Sequence, residues 1–133
     1  MNSIAVPDSI VWVVQETPNN DYSPAEKYGE LVFITSYEFR PIMGSPSSNS
    51  LLELIEQAAK KFRPAQDWLI LTGNPIIMAY TFHLIFSKST CGIRLLQWSR
   101  KRMEYHPVLF KRDLFNNCLW EKIFKPEAVA NEG

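Results

Sequence analysis

Residues 68–86 read WLILTGNPIIMAYTFHLIF, and this stretch decides the fold. The run Trp68–Leu71 is short and wholly apolar, which predicts a buried strand. Thr72-Gly73 forms a turn, after which Asn74-Pro75 supplies the residue types favoured at a helix N-cap and at the first helical position. Ile76–Phe86 is almost continuously apolar but too short to cross a membrane, so it predicts a helix largely enclosed by protein.

Two further strands precede this unit. Ile10–Val14 and Leu31–Thr35 are apolar on both alternating faces, as expected for strands that are covered on both sides of a sheet. Between them, Ser23–Glu26 has the form of a capping box with a proline at the first helical position, which predicts one or two helical turns. A second capping box, Ser50–Glu53, predicts the start of an amphipathic helix that Pro64 stops.

The last third of the chain begins with a hairpin. Ile93–Trp98 predicts a strand, Ser99–Arg102 a basic turn, and the residues from Met103 onward a returning strand. Pro107 in the returning strand cannot donate a ladder hydrogen bond. This confines the returning strand to an edge of the sheet.

These elements give the order β-β-α-β-α-β-β, followed by a short C-terminal helix over residues 114–124. Strand–helix–strand units favour parallel pairing through right-handed crossovers. We therefore predict a single α/β domain over residues 1–133. Its small mixed sheet has about five strands, is mostly parallel and carries an antiparallel hairpin at one edge. Residues 126–133 are expected to be a frayed tail.

The composition excludes several classes of protein. The chain has 133 residues, 14 basic and 14 acidic side chains, and 46% apolar residues, which is typical of a globular protein. No run of about 18 apolar residues is present, so no membrane span is expected, and the N-terminus lacks the pattern of a secretory signal. Cys91 and Cys118 fit a reducing compartment and are expected to be unbridged. Neither they nor His83 and His106 have metal-ligand spacing, so no metal and no cofactor is predicted.

Several short motifs follow one another along the chain. They are Val11-x-Val13-Val14-Gln15-Glu16, Gly29-Glu30-Leu31, Leu69-x-Leu71-x-Gly73-Asn74-Pro75, Leu95-Leu96-x-Trp98-Ser99-Arg100 and Tyr105-x-Pro107. This order, over residues 10 to 110, resembles a family of small accessory proteins of tailed bacteriophages. The resemblance implies a phage origin and action in the cytoplasm of the infected bacterial host, but no particular activity. That family has Asp more often where Asn74 and Ser99 stand here, so no carboxylate role is carried over to these positions.

A first candidate site is the turn Thr72-Gly73-Asn74. In open α/β sheets, ligands bind beyond the carboxyl ends of the strands, and free N–H groups at a helix start attract anions. The turn is therefore a candidate anion site for a phosphate or a nucleotide. Alternatively its role is structural, because Gly73 permits the turn and Asn74 starts the helix, and no Walker lysine or further glycine follows.

The second candidate site is the basic hairpin. Residues 88–112 hold seven basic side chains and one acidic side chain, whereas residues 1–59 hold two basic and eight acidic side chains. A cationic ribbon with interleaved aromatic side chains suits an acidic protein surface or a nucleic acid. Alternatively, the cations protect an edge strand from unwanted pairing and the aromatics pack across the strands. The candidate contact residues are Arg94, Trp98, Arg100, Lys101, Arg102, Tyr105 and His106.

Residues for catalysis are harder to identify. Tyr80, His83 and Ser87 form one helical stripe, but no carboxylate is placed to orient the imidazole, so a buried, hydrogen-bonded histidine is the expected role. Asp67 and Glu104 lie nearest to the strand ends and show no paired-carboxylate pattern. Whether the protein is an enzyme stays open, and a non-enzymatic role is favoured.

These observations lead to an ordered set of hypotheses. We expect a phage accessory protein that binds and modulates a host macromolecule, foremost a protein. Nucleic-acid binding through the hairpin over residues 94–106 is the first alternative, and phosphate or nucleotide binding at Thr72-Gly73-Asn74 is the second. The aromatic segment over residues 113–124 is expected to seal the core, to dock a partner or to form a homodimer.

Overall fold

The computed structural model describes residues 9–36, 46–90 and 92–111, with the backbone alone at residues 46–48. Within these residues, five strands form one sheet and three helical segments connect them. The strands are β1 Ile10–Gln15, β2 Glu30–Thr35, β3 Trp68–Ile70, β4 Gly92–Ser99 and β5 Glu104–Lys111. The helical segments are a 3₁₀ segment Ser23–Tyr28, α1 Pro46–Lys61 and α2 Pro75–Lys88.

The strand order in the sheet is β2-β1-β3-β4-β5. β1 pairs in parallel with β2 and with β3, and β3 pairs in parallel with β4. β4 and β5 are antiparallel, with Ser99 opposite Glu104 at the turn. The α/β class, the mostly parallel mixed sheet and the antiparallel edge hairpin are thus confirmed. Pro107 lies in β5, the edge strand of the described sheet, where a residue without an N–H is tolerated.

The direction of each connection decides which face of the sheet it covers. β2-α1-β3 and β3-α2-β4 both cross the sheet in one direction, whereas the 3₁₀ segment leads from β1 to β2 in the opposite direction. Right-handed crossovers therefore place both α-helices on one face and the 3₁₀ segment on the other. The core is divided accordingly, with Ile55 and Ile77 in one buried cluster and Tyr22 and Ala25 in a second.

Two helix starts differ from the predicted capping boxes. α1 begins at Pro46, so Ser50 lies inside the helix, because a proline at the first helical position already has the helical φ. The 3₁₀ segment has Tyr22 as its N-cap residue and no side-chain cap hydrogen bond, and an Asx turn at Asp21 precedes it. The N–H of Ser23 donates to Oδ1 of Asp21 at 3.0 Å. A short acidic side chain just before the turn thus replaces the predicted box.

Helix α2 is enclosed on one side only. Its buried residues are Ile77, Thr81 and Ile85, which form one stripe, while Ile76 is 70% exposed and His83 is exposed. The prediction of a largely enclosed helix with a buried histidine is therefore wrong. The physical reason is that α1 and α2 share one layer on the sheet, and no further layer covers α2 among the described residues.

Several predictions fall outside the described residues. They concern the C-terminal helix over 114–124, the tail over 126–133, the state of Cys91 and Cys118, and the core, docking or homodimer role of residues 113–124. The single domain over residues 1–133 likewise stays a prediction.

Candidate functional site

Strands β1 to β4 begin at one end of the sheet, the amino edge, where a fully buried carboxylate joins β1 to the connection between α1 and β3. Oδ1 of Asp67 accepts hydrogen bonds from the N–H of Ile10 at 3.1 Å and from the Arg63 guanidinium at 2.8 Å. Its Oδ2 accepts from Nε1 of Trp12 at 3.0 Å. Burial by itself raises the pKa of Asp67, but the hydrogen bonds from Arg63, Trp12 and Ile10 outweigh it and hold the pKa below its ordinary value. Asp67 is a structural anion.

The predicted contact residue Arg94 belongs to this amino-edge network. Its guanidinium carbon lies 4.0 Å from the centroid of the Trp68 ring. Nε of Arg94 donates to the carbonyl of Asp67 at 3.3 Å, and Nη2 donates to the carbonyl of Gln66. Burial lowers the pKa of Arg94, although the Asp67 charge opposes this shift. The structure therefore does not bring Arg94 together with the other cations of the hairpin.

The four parallel strands end at the carboxyl edge, where the turn Thr72-Gly73-Asn74 follows β3. Oδ1 of Asn74 accepts hydrogen bonds from the N–H groups of Ile76 at 2.8 Å and Ile77 at 3.4 Å, so the predicted N-cap is confirmed. The N–H of Asn74 donates to Oε1 of Gln15 at 2.8 Å. Gly73 has φ 102°, and a Cβ at this position would overlap the Gln15 side chain. An anion at this turn would have to displace these hydrogen bonds.

The hairpin projects past β3 at the carboxyl edge. Leu69 of β3 is level with Leu95 of β4, and β3 ends at Ile70, whereas β4 continues to Ser99. Among the described strands, none therefore pairs with the last residues of β4 on the side of β3. Beyond them lies the hairpin tip, residues Arg100–Met103, which connects β4 to β5.

The hairpin tip carries three exposed cations. The side chains of Arg100, Lys101 and Arg102 make no hydrogen bond or ion pair with any residue that the structure describes. Beside them, Met103 is 67% exposed and has φ 55°, a left-handed conformation that is uncommon for a residue other than glycine. The tip thus presents both positive charge and apolar surface to solvent.

His106 lies further along β5 and has an acidic neighbour. Its Nε2 is 3.6 Å from Oε2 of Glu104, and both side chains are 39% exposed. A pair this exposed contributes little to stability.

A cleft of about 770 Å³ opens where β3 stops and β4 continues. Its volume lies within the range of roughly 300–1,000 Å³ that is usual for small-molecule sites. Its walls come from the loop after β1, the end of β3 and the projecting part of the hairpin. The lining is Asn19, Asn20, Asp21, Tyr22, Pro24, Ile70, Leu71, Thr72, Leu95, Leu96, Gln97, Trp98, Met103, Tyr105, Val108 and Phe110.

Two aromatic residues from the hairpin form one wall of the cleft. The rings of Trp98 and Tyr105 meet edge to face, with centroids 4.9 Å apart and planes at 66°. Trp98 is 36% exposed, whereas Tyr105 is 5% exposed, and the Tyr105 hydroxyl has no hydrogen-bond partner among the described residues. Burial, reinforced by the nearby Tyr22 and Asp21, raises the pKa of Tyr105 to about 12. At neutral pH this hydroxyl is a protonated donor that the described part of the chain does not use.

The loop after β1 forms the opposite wall. The N–H of Thr17 donates to Oη of Tyr22 at 3.1 Å, and the hydroxyls of these two residues lie 2.8 Å apart. Burial raises the pKa of Tyr22, but hydrogen bonds from Thr17 and Thr72 outweigh it and leave the pKa lowered. The pKa of Asp21 is lowered by its hydrogen bonds with Ser23. Asp21 is therefore ionised at neutral pH and gives the cleft a negative charge.

The cleft joins parts of two sites that the sequence placed separately. Thr72 of the strand–helix turn and Trp98 and Tyr105 of the hairpin all line it, while Arg94 lies at the other end of the sheet. Sequence reasoning missed Asn19–Asp21 and Gln97. The rule that ligands bind beyond the carboxyl ends of strands applies to the loop after β1 as well as to the turn after β3, and it could have indicated Asn19–Asp21.

Residues 9–112 match the family described as Phage Pam3 gp32-like protein. The chain belongs to the phage Pam3 gp32-like family. The matched span of this Pam3 gp32-like chain contains all the described strands, the cleft and the hairpin tip, and it confirms the resemblance to a family of small phage proteins. Comparisons with curated proteins and with solved structures give no match.

Over residues 9–36, 46–90 and 92–111, no three His, Cys, Asp or Glu side chains are grouped so that they could hold a metal ion. Of the helices within these ranges, none combines the length and the apolar character needed to cross a membrane.

Proposed function

We propose that this Pam3 gp32-like protein is a phage accessory protein that binds an acidic surface of a host protein through its hairpin tip. It acts in the cytoplasm of the infected bacterium, by binding rather than by catalysis. The observation that carries this proposal is the set of three exposed tip cations without a partner among the described residues. Trp98 and Met103, both exposed, lie beside them.

The hairpin gives these side chains a rigid support. β4 and β5 pair without interruption from Gly92–Lys111 to Ser99–Glu104, so the tip is held at a fixed distance from the sheet. Arginine and tryptophan are the residue types that dominate binding energy at protein interfaces, and cationic patches steer the encounter with acidic partners. The proposed contact residues are Trp98, Arg100, Lys101, Arg102 and Met103.

Nucleic acid is the second candidate partner of the same surface. The observation that favours it is the exposure of the Trp98 ring beside the tip cations, because bases stack on exposed aromatic rings while cations neutralise phosphates. Binding to nucleic acid would fall steeply as the salt concentration rises.

The test is affinity capture from a lysate of the bacterial host, with and without nuclease, using three baits. The first is the native protein and the second is the Lys101→Ala/Arg102→Ala variant. The third, Lys60→Ala/Lys61→Ala, removes the same amount of charge from exposed positions at the end of α1 and serves as the matched control.

The proposal predicts one host protein that survives nuclease treatment, is retained by the control bait and is lost from the tip variant. Purified, that protein should bind the tip variant at least tenfold more weakly than the native protein. Capture that nuclease abolishes would instead establish nucleic acid as the partner. Equal capture by the tip variant and the native bait would refute a role for the tip.

A further inference from the structure

We infer that the cleft at the carboxyl edge binds a nucleoside unit, with the base against Trp98 and Tyr105 and the ribose on Asp21. This site borders the proposed protein contact and shares Trp98 and Met103 with it, whereas Asp21 and Tyr105 belong to the cleft alone. Four properties of the cleft lead to this ligand: an unused buried donor, an aromatic wall, a set of neutral amides and a carboxylate.

The Tyr105 hydroxyl requires an acceptor from the ligand. Tyr105 is 95% buried, lines the cleft and has no hydrogen-bond partner for its hydroxyl among the described residues. A buried donor without a partner is costly, and a ligand that supplies an oxygen or a ring nitrogen removes this cost. Carbonyl oxygens and ring nitrogens of nucleobases are acceptors of this kind.

The wall around this hydroxyl suits a planar, polar ring. Trp98 meets the Tyr105 ring edge to face and is 36% exposed, so part of its indole surface is accessible to a stacked group. Asn19 and Asn20 also line the cleft, and carboxamides pair with the donor and acceptor edges of bases. The amide nitrogen of Asn20 already donates to Oγ1 of Thr17.

Asp21 determines which part of a nucleotide lies inside the cleft. Its carboxylate is held by the N–H of Ser23 at 3.0 Å, which leaves its remaining acceptor positions for the ligand. Carboxylates bind ribose hydroxyls in dinucleotide sites, and they repel phosphate. The sugar hydroxyls therefore lie on Asp21, and any phosphate is directed away from it, toward the cations of the hairpin tip.

A free nucleotide and one residue of a single strand both supply this chemistry. Calorimetric titration distinguishes them, with the four ribonucleosides, their 5′-monophosphates and a single strand of about ten nucleotides as probes. Similar affinities for a monophosphate and the strand indicate a free nucleotide. A strand that binds at least tenfold more tightly, with strong salt dependence, indicates a nucleic acid.

Variants of the cleft test where the nucleoside binds. Tyr105→Phe should weaken nucleoside binding about tenfold, because it removes only the donor. Trp98→Ala should weaken it at least tenfold, and Trp98→Phe should retain most of the affinity because an aromatic face remains. Asp21→Asn should abolish the preference for a ribonucleoside over its 2′,3′-dideoxy analogue.

Two controls separate this proposal from the role of the tip. Leu52→Ala removes an equally exposed apolar side chain from α1, and it should leave the affinity within twofold of native. Lys101→Ala/Arg102→Ala should likewise leave the binding of an uncharged nucleoside unchanged, even if it abolishes protein capture. Two results would overturn the inference. One is no nucleoside or nucleotide binding at millimolar concentration, and the other is binding that Tyr105→Phe and Trp98→Ala leave intact.

Discussion

The polar groups at the two ends of the sheet differ in whether they have hydrogen-bond or ion-pair partners. At the amino edge, both carboxylate oxygens of Asp67 are occupied by donors from β1 and from Arg63, and Arg94 is packed over Trp68. At the carboxyl edge, the Tyr105 hydroxyl and three cations have no partner among the described residues. The polar groups at the amino edge thus have partners within the protein and stabilise the fold. The Tyr105 hydroxyl and the tip cations at the carboxyl edge have none among the described residues and are available to other molecules.

Substitution of Asp67 at the amino edge should have the largest effect on the free energy of unfolding. Asp67→Ala leaves the Trp12 indole N–H and the Ile10 N–H without an acceptor in a buried site. We expect the free energy of unfolding to fall by about 3 kcal/mol, measured by urea denaturation. Glu53→Ala, which removes an exposed acid from α1, is the control and should change it little. A loss no larger than that of the control would contradict the structural role of Asp67.

Lowering the pH should remove part of the contribution of Asp67 to the free energy of unfolding. Because the pKa of Asp67 is lower in the folded state than in the unfolded chain, its contribution is complete above the unfolded value of about 4 and is lost as the pH falls through the folded value. Urea midpoints measured downward from neutral pH should decline more steeply for the native protein than for Asp67→Asn. Parallel profiles would show that Asp67 does not carry this dependence.

At the carboxyl edge, a substitution in the strand–helix turn should lower the free energy of unfolding the most. Gly73→Ala places a Cβ against the Gln15 side chain and forces an alanine into φ 102°. We expect a loss of about 2 kcal/mol in the free energy of unfolding. Ala79→Gly on the exposed side of α2 provides a comparison, since it costs about 1 kcal/mol through helix propensity alone. If Gly73→Ala is tolerated without loss, the close approach of Gln15 is not a constraint.

Removing the Tyr105 hydroxyl should raise the free energy of unfolding, whereas the substitutions above lower it. Tyr105→Phe removes a buried hydroxyl that has no described partner, so the free energy of unfolding should rise by about 1 kcal/mol. Tyr28→Phe is a suitable control, because the Tyr28 hydroxyl donates to the carbonyl of Tyr105 at 3.2 Å and its removal should destabilise the fold. Destabilisation by both variants would mean that the Tyr105 hydroxyl is in use within the protein.

The smallest effect on stability is expected at the hairpin tip. Lys101→Ala/Arg102→Ala removes two exposed cations without described partners, so the thermal unfolding midpoint should stay close to native, with a free-energy change below about 0.5 kcal/mol. A clear drop in the midpoint would show that the tip cations contribute to stability. It would contradict the view that the amino edge, and not the hairpin tip, uses its polar groups to stabilise the fold.

The sequence predicts much of the fold because its signals are local. The apolar runs that became β1 to β3, the Asn74 cap and the proline in the returning strand each report on their own surroundings. The order of strands follows only when the direction of each crossover is known. The enclosure of α2 was overestimated for a related reason, since periodicity does not reveal how many layers a sheet carries.

The candidate site is harder to predict from the sequence, because residues of the same type in the same stretch of chain have different roles. Arg94 and Arg100 both belong to one basic stretch, but Arg94 lies on Trp68 and Arg100 is exposed. Nothing in their local sequence distinguishes them. Asn19–Asp21 lie about fifty residues before Thr72 in the chain, and only the pairing of β1 with β3 brings the loops that follow these strands to the same edge.

The position of β1 also has a consequence for synthesis on the ribosome. Of the described strands, β1 is made before both of its neighbours, and Asp67 binds Ile10 and Trp12 across 57 and 55 residues of chain. Until β3 has emerged, an apolar strand therefore presents an open hydrogen-bonding edge to other nascent chains. Asp67 directly precedes β3, so the residue whose carboxylate binds β1 in the finished sheet leaves the ribosome just ahead of the strand that covers this edge.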